Sequence, residues 1–463
     1  MRPLTVILFL SCALPTVLPA QALPAASTVT HVADSLAAAF VASDGAPSVA
    51  IGLVRGTDTL ELKAWGLADI EQDVPATARS VYRIGSVTKQ FTAAAVMQLV
   101  EQGKVKLDDS IATYLPALPV AWHRVTVRQL LNHTSGIPSY TDIGPKWRNR
   151  WGEEMTPDTL IALTAGDPVW FAPGTQWRYD NSGYVVLGLL IEQLTGRPWG
   201  TDMAERFFKP LGMLDTRECL ATPIYPRRVR GYEKDDDHPG QWENTAYLAM
   251  SQPYAAGSLC STVGDLARWN RALHTGHVVS AASYALMTTP EGVAATNTPR
   301  YGFALIADTL AGRPIITHGG GIHGFITGNA WVPSAQLSVT VLTNSGSARA
   351  EQLLEQLVRA AQGMPLEQQA RVVPIAADQL RRYVGVFALV LPNGAHDFTI
   401  AEAGDHLTAQ LAGQEAIPLL HYGDHTFGAS FDPSLRLFFT LDGGQATRVT
   451  LLQGGGHFEG VRK

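Results

Sequence analysis

The sequence predicts an α+β fold: an antiparallel sheet flanked by helices, with an all-helical lobe inserted between its strands, followed by a small all-β barrel. Three observations predict it. Strand-like runs lie near both ends of the first 363 residues, with many helical segments between them. A helical segment opens that region and another closes it, so both can cover one sheet. After residue 380 the pattern changes to short strand-like runs separated by turn residues, which is barrel patterning.

The elements follow in order. Residues 23–46 read as a helix, with apolar spacing through Val32, Leu36, Ala39 and Phe40. Residues 48–54 and 59–65 read as strands joined at Gly56-Thr57-Asp58. The loop ending at Gly85 opens a helix over 86–102, which Gly103 stops. Residues 127–132 form another helix before the turn His133-Thr134-Ser135-Gly136-Ile137-Pro138. Phe171-Ala172-Pro173-Gly174 is a turn. Residues 184–195 are helical, ended by Gly196 and Pro198. Thr262 and Asp265 have capping-box spacing and start a helix that runs to His274. Residues 314–318, 325–332 and 337–344 read as strands, and 349–362 as the closing helix. Residues 364–380 form a linker. The barrel strands are 385–390, 397–402, 406–410, 415–420, 426–429, 435–441, 448–452 and 458–462. The organisation is therefore a leader (1–22), a main domain (23–363), the linker and a barrel domain (381–463).

A chain of 463 residues exceeds one compact core. Hydrophobic residues at 46% and charged residues at 16% fit a packed globular protein. A net charge of −6 gives no basis for a nucleic-acid or anionic-membrane partner. Arg2, the apolar stretch 4–18 and Ala20-Gln21-Ala22 read as a cleavable signal peptide, cut after Ala22. Export follows, to the periplasm in a Gram-negative host. Phe9-Leu10-Ser11-Cys12 is a poor lipidation box, and no segment reads as an integral membrane span. Cys219 and Cys260 remain after cleavage, and can form a disulfide or stay as buried thiols. His274 and His277 have no evident third ligand, so no metal and no cofactor is expected.

A serine hydroxyl needs a base to become a nucleophile. Ser86 and Lys89 share one helix face, one turn apart. Ser86 sits in the first turn, where free N–H groups and the positive helix end favour developing negative charge. A buried Lys89 can lose its proton at neutral pH. Alone, Ser-x-x-Lys is common and mostly marks a capped helix with an exposed lysine. Two later segments add weight: a Tyr-x-Asn at Tyr179-Asp180-Asn181, and His318-Gly319-Gly320-Gly321 at a strand end.

With these motifs in this order, the chain resembles the serine β-lactamase/penicillin-binding superfamily, in its branch of class C β-lactamases, D,D-carboxypeptidases, D-aminopeptidases and esterases. Supporting context is Tyr82-Arg83-Ile84-Gly85, Leu130 to Gly136, Pro210-Leu211-Gly212-Met213 and Gly257 to Arg268; the resemblance covers about residues 30–362. It implies Ser86 as the acylated nucleophile and Lys89 as a partner in proton transfer. It implies Tyr179 as general base, kept acidic by Lys89 and nearby charge. Asn181, His318, Gly320 and Gly321 would bind substrate, with Asn181 also bonding Lys89. The N–H groups of Ser86 and Gly321 would form the oxyanion hole.

This sequence departs from the family pattern at two positions. Asp180 stands where Ser or Ala is usual; it can raise the pKa of Tyr179, contact a substrate amine or point away. His318 stands where β-lactamases carry lysine, which lowers the expectation of efficient β-lactam hydrolysis. His323 reads as structural. Trp122, Trp147, Trp151 and Trp170 fall in the inserted lobe, where they can line the cleft mouth or pack in its core. The expected function is a cell-envelope peptidase, D,D-carboxypeptidase or D-aminopeptidase-like, acting on small D-residue peptides. Alternatives are a carboxylesterase or transacylase on the same site, a weak β-lactamase, or a slowly turning-over penicillin or peptide sensor. The barrel resembles the lipocalin-like barrels appended to some D-aminopeptidases; it can cap the cleft, bind a ligand or pair subunits into a homo-oligomer.

Overall fold

The computed structural model describes residues 23–43, 45–235, 237–238, 240–367, 372–391, 394–429, 435–453 and 456–463. The leader, with Cys12 and the Ala20-Gln21-Ala22 site, lies outside the described residues. The chain divides into two compact units, 1–366 and 367–463.

The first unit is built on an eight-stranded sheet. Its order is Val74–Pro75, Asp58–Asp69, Ser48–Arg55, Leu337–Thr343, Phe325–Val332, Arg313–Thr317 and Ile306–Leu310, with Gly320–Ile322 also pairing with Phe325–Val332. Ser48–Arg55 and Leu337–Thr343 pair antiparallel from Val49↔Thr343 to Arg55↔Leu337. The start and the end of the unit are therefore neighbours, and the helical lobe is an insertion between them. The strands Ile306–Leu310 and Gly320–Ile322 were not legible as strands, because both are short and the second is glycine-rich.

Every residue of Leu337–Thr343 is buried, so this central strand is covered on both faces. Alternation sends Leu337, Val339 and Val341 to a core shared with the helices Ala26–Ala42 and Ala350–Ala361. In the second helix Leu353, Leu354, Leu357, Val358 and Ala361 recur at three- and four-residue spacing, forming one apolar stripe. The opposite face carries Ser338 and Thr340, whose hydroxyls are satisfied by Asn270 and Asn329.

The lobe packs around two almost wholly buried helices, Thr88–Glu101 and Asn181–Thr195. Phe91 stacks on Trp269 at 3.9 Å between ring centroids. Trp122 is fully buried in this core rather than at a cleft mouth. Helix Asn181–Thr195 begins three residues before the expected start, because Asp180 caps it by accepting from Gly183 N–H at 3.0 Å. It ends at Gly196, whose φ of 69° is the left-handed conformation of a helix stop. Cys219 and Cys260 are free and buried; Cys260 lies on the strand Leu259–Ser261, and Cys219 directly follows the strand Arg217–Glu218 that pairs with it.

The second unit is a closed barrel of eight antiparallel strands: Gly385–Leu391, Gly394–Ala403, His406–Leu411, Ile417–Gly423, Thr426–Ala429, Arg436–Asp442, Gln445–Gln453 and Gly456–Arg462. The first and last strands close it through Ala388↔Val461, which removes both sheet edges. Phe387, Leu389, Ile400, Leu407, Leu437 and Val449 fill its core.

Candidate active site

Ser86 lies in a 3-10 turn, Gly85–Val87, that leads into the helix Thr88–Glu101. Two glycines let the strand Gly320–Ile322 press onto this turn. Gly85 has a φ of 49°, and a Cβ there would stand 2.9 Å from Gly321 O. A Cβ on Gly320 would stand 2.0 Å from Ile84 O and 3.0 Å from Ser86 N. Neither position tolerates a side chain, so the backbone N–H groups of Ser86 and the Gly320-Gly321 segment share one corner of the cleft.

Lys89 is fully buried. Its Nζ donates to Ser86 Oγ at 3.1 Å, Asn181 Oδ1 at 2.8 Å and Ala256 O at 2.8 Å. Burial lowers its pKa to about 7, against the opposing pull of the Asp180 charge. The three acceptors fix the amine in one orientation. Its rings of contact are aromatic, with Tyr179 at 4.7 Å and Tyr184 at 5.4 Å. Asn181 is itself held, its Nδ2 donating to Thr141 Oγ1 and its N–H to Ser139 Oγ.

The hydroxyl of Tyr179 is enclosed beside Ser86, its one hydrogen-bonding side-chain neighbour, in a contact too loose to be a well-formed hydrogen bond. Burial pushes its pKa above the ordinary phenol value; Ser86 works against that shift and Asp180 with it. This reverses the expectation of an acidic tyrosine: burial keeps the Tyr179 proton in place, and beside Ser86 it is the Lys89 amine whose pKa comes near neutrality.

Asp180 points away from the cleft. It is buried, its carboxylate accepting from Gly183 N–H and from Ser135 Oγ at 3.2 Å, and burial raises its pKa to about 7. Gly183 is required here, since a Cβ would lie 2.7 Å from the carboxylate. Asp180 N–H donates to Nδ1 of His133. His133 is fully buried with a φ of 60°, and its ring packs against Tyr179, Tyr184 and Tyr301 at 4.3, 5.3 and 4.7 Å.

His318 does not face the cleft as expected; it is only 3% exposed. Nδ1 lies 2.6 Å from Gly319 O and must donate to it, so Nε2 accepts from the Tyr301 hydroxyl at 2.8 Å. Both ring nitrogens are occupied inside the protein. Burial, reinforced by the Lys89 charge, lowers its pKa to about 4, so His318 is neutral at physiological pH. The physical reason is Tyr301, which reaches His318 from a segment the sequence left unassigned.

His323 Nδ1 donates to Ala246 O at 3.0 Å, and the ring meets Trp151 edge-on at 4.3 Å. Trp147 meets Trp151 at 5.7 Å and donates to Gln252. Trp170 is covered by Arg178. His274 bonds Tyr284 and stacks on Trp331. The residues missed from sequence are His133, Tyr301, Ser135, Thr141 and the Ala256 carbonyl. Only the first carried a signal: a histidine inside the turn that follows residues 127–132.

Comparison with known proteins agrees with this geometry. The Beta-lactamase family model matches residues 33–363. The chain is 27% identical over 432 residues to penicillin-binding protein 4* of Bacillus subtilis (strain 168), covering 88% of this chain and 93% of that protein. It is 26% identical over 359 residues to the D-aminopeptidase of Gluconobacter oxydans (strain 621H), covering 75% of this chain and 65% of that protein. The crystal structure of a D-stereospecific amidohydrolase from Streptomyces sp. matches with a TM-score of 0.59 at 30% identity, covering 73% of this chain and 98% of that one.

Proposed function

This chain belongs to the beta-lactamase family and is a serine hydrolase; from that premise we propose that it hydrolyses amides and short peptides of D-amino acids through an acyl-enzyme on Ser86. The observation that carries the reading is the buried Lys89 amine, 3.1 Å from Ser86 Oγ with a pKa of about 7. Neutral Lys89 takes the Ser86 proton as Oγ adds to the substrate carbonyl. The N–H groups of Ser86 and Gly321 receive the oxyanion, at roughly 3–4 kcal/mol per donor. Tyr179 gives its proton to the departing nitrogen and takes one back from the Lys89 ammonium. Water then attacks the acyl-enzyme with the same groups acting in reverse.

The substrate class is supported by the names of two relatives, a D-aminopeptidase and a D-stereospecific amidohydrolase. It is supported also by His318. A buried neutral imidazole offers no cation to a substrate carboxylate, which favours an amidase or aminopeptidase over a D,D-carboxypeptidase or β-lactamase. The leader at 1–22 supports export to the cell envelope, and among the described residues no helix is long and apolar enough to cross a membrane.

Four substrates test this: D-alanine p-nitroanilide, its L enantiomer, a D-Ala-D-Ala-terminated peptide and p-nitrophenyl acetate. The D-anilide is expected to exceed both the L-anilide and the carboxylate-terminated peptide in kcat/KM by about tenfold or more. Turnover confined to the ester overturns the reading.

A further inference from the structure

Tyr179 must bring its hydroxyl to the departing nitrogen, yet that hydroxyl meets only Ser86, and loosely. Its place is therefore set by the backbone on either side and by the rings it lies against. His133 contributes to all of these. Its main-chain oxygen accepts from Arg178 N–H at 3.1 Å, and its Nδ1 accepts from Asp180 N–H at 3.2 Å. Asp180 is extended, with a φ of −147°, and in extended chain the N–H groups of alternate residues face the same way. His133 thus bridges the two residues that flank Tyr179, and its ring lies 4.3 Å from the Tyr179 ring between centroids.

Packing alone does not account for a histidine here. The residue is fully buried with a φ of 60°, a backbone that few side chains other than Asn, Asp and His adopt. An Nδ1 that accepts carries no proton, so the proton of the neutral ring sits on Nε2. Burial keeps the ring uncharged by lowering its pKa well below the usual imidazole value. Nε2 is itself buried and finds no acceptor among the described residues. Such an orphaned donor is destabilising, and a phenyl ring would fill the same space without it. What the phenyl would lack is the acceptor for Asp180 N–H.

We infer that His133 is a positioning residue for Tyr179: its Nδ1 and main-chain oxygen fix the chain on both sides of the tyrosine, and so hold the phenol where it can hand its proton to the leaving group. The inference rests on the reading of Tyr179 as that proton donor.

Nitrophenolate leaves without help from an acid, whereas an anilide nitrogen must be protonated, so two substrates separate Tyr179 from Lys89. Turnover of D-alanine p-nitroanilide and the nitrophenolate burst from p-nitrophenyl acetate are measured for wild type, His133→Asn, His133→Gly and His133→Phe. The last two are also combined with Tyr179→Phe. Asparagine keeps an acceptor and tolerates the backbone, glycine keeps the backbone alone, and phenylalanine keeps the ring alone. The glycine and phenylalanine variants should lose about 10²-fold in kcat on the anilide, with KM and the burst within about threefold of wild type. His133→Asn should recover about tenfold or more of that loss. Added to Tyr179→Phe, the same substitutions should change anilide turnover by less than about threefold. Equal losses on both substrates, an undiminished effect in Tyr179→Phe, or an asparagine variant no better than glycine overturns the inference. So does a failure of both acceptor-less variants to fold, which would make His133 a structural residue. Failure of the functional reading shows separately. A Tyr179→Phe variant as active as wild type on the anilide removes the proton donor. A wild type that is acylated by the ester but does not turn over the anilide removes the substrate class. The inference is then decided on hydrolysis of the acetyl-enzyme, where Tyr179 acts on the attacking water; the acceptor-less variants should slow that step by the same factor, and an unaltered rate overturns it.

Discussion

Lys89 and His318 are both buried beside the serine, one on the helix side of the cleft and one on the strand side. Burial lowers the pKa of each by disfavouring its charged form. The outcome differs because the starting points differ. An amine brought down from 10.5 arrives at about 7, where it can gain or lose a proton during turnover. An imidazole brought down from 6.5 arrives at about 4, where it is fixed as neutral. Their partners follow the same division. Lys89 donates to three acceptors, one of them the nucleophile. His318 is closed off by Tyr301 and Gly319. Low polarity around the site thus builds a proton carrier on one wall and an uncharged spacer on the other.

The helix side should be the more sensitive to mutation. Lys89→Met removes the base and leaves the Asn181 and Ala256 oxygens without their donor. Acylation by p-nitrophenyl acetate, followed by nitrophenolate release, should slow by about 10²–10⁴-fold. A loss under tenfold would move the base elsewhere. Tyr179→Phe should slow turnover of amides by about 10²-fold. Its hydroxyl meets only Ser86, and loosely, so the melting temperature should change little; a clear fall would mean that the hydroxyl is structural.

On the strand side the effect should appear in stability instead. Tyr301→Phe removes the donor to His318 Nε2 and should cost about 1–3 kcal/mol in denaturant unfolding, while the pH profile of acylation keeps its shape. A new acid limb in that variant would show that His318 titrates in the working range.

The smallest effect is a displacement along the pH axis. Wild-type acylation should rise with pH through about 7, as the Lys89 ammonium loses its proton and becomes a base. Asp180 raises the Lys89 pKa, so Asp180→Asn, which can still cap the helix, should move that limb to lower pH. A limb that stays in place or moves upward contradicts the coupling.

The sequence made the helix side legible and the strand side much less so. Ser86 and Lys89 meet as their spacing implied and Asn181 joins them as the resemblance implied, because Ser86 stands in the turn that leads directly into the Lys89 helix and Asn181 begins another helix. Asp180 was readable in principle. Had the helix been started at Asn181 rather than at 184, its place as the capping residue would have turned it inward. His318 could not be read this way. Strand alternation ends at Thr317, and the direction of the next side chain is set by Tyr301, seventeen residues earlier in a segment without periodicity. The barrel was the most legible region: each of the eight expected runs falls on an observed strand, because turn residues punctuate every one.

The central claim is that Ser86 carries the acyl group. Intact-mass analysis of wild type and Ser86→Ala, each quenched during turnover of p-nitrophenyl acetate and D-alanine p-nitroanilide, tests it most directly. Wild type should gain the mass of one acyl group, and Ser86→Ala should gain none. An adduct of the same mass on Ser86→Ala would contradict the account.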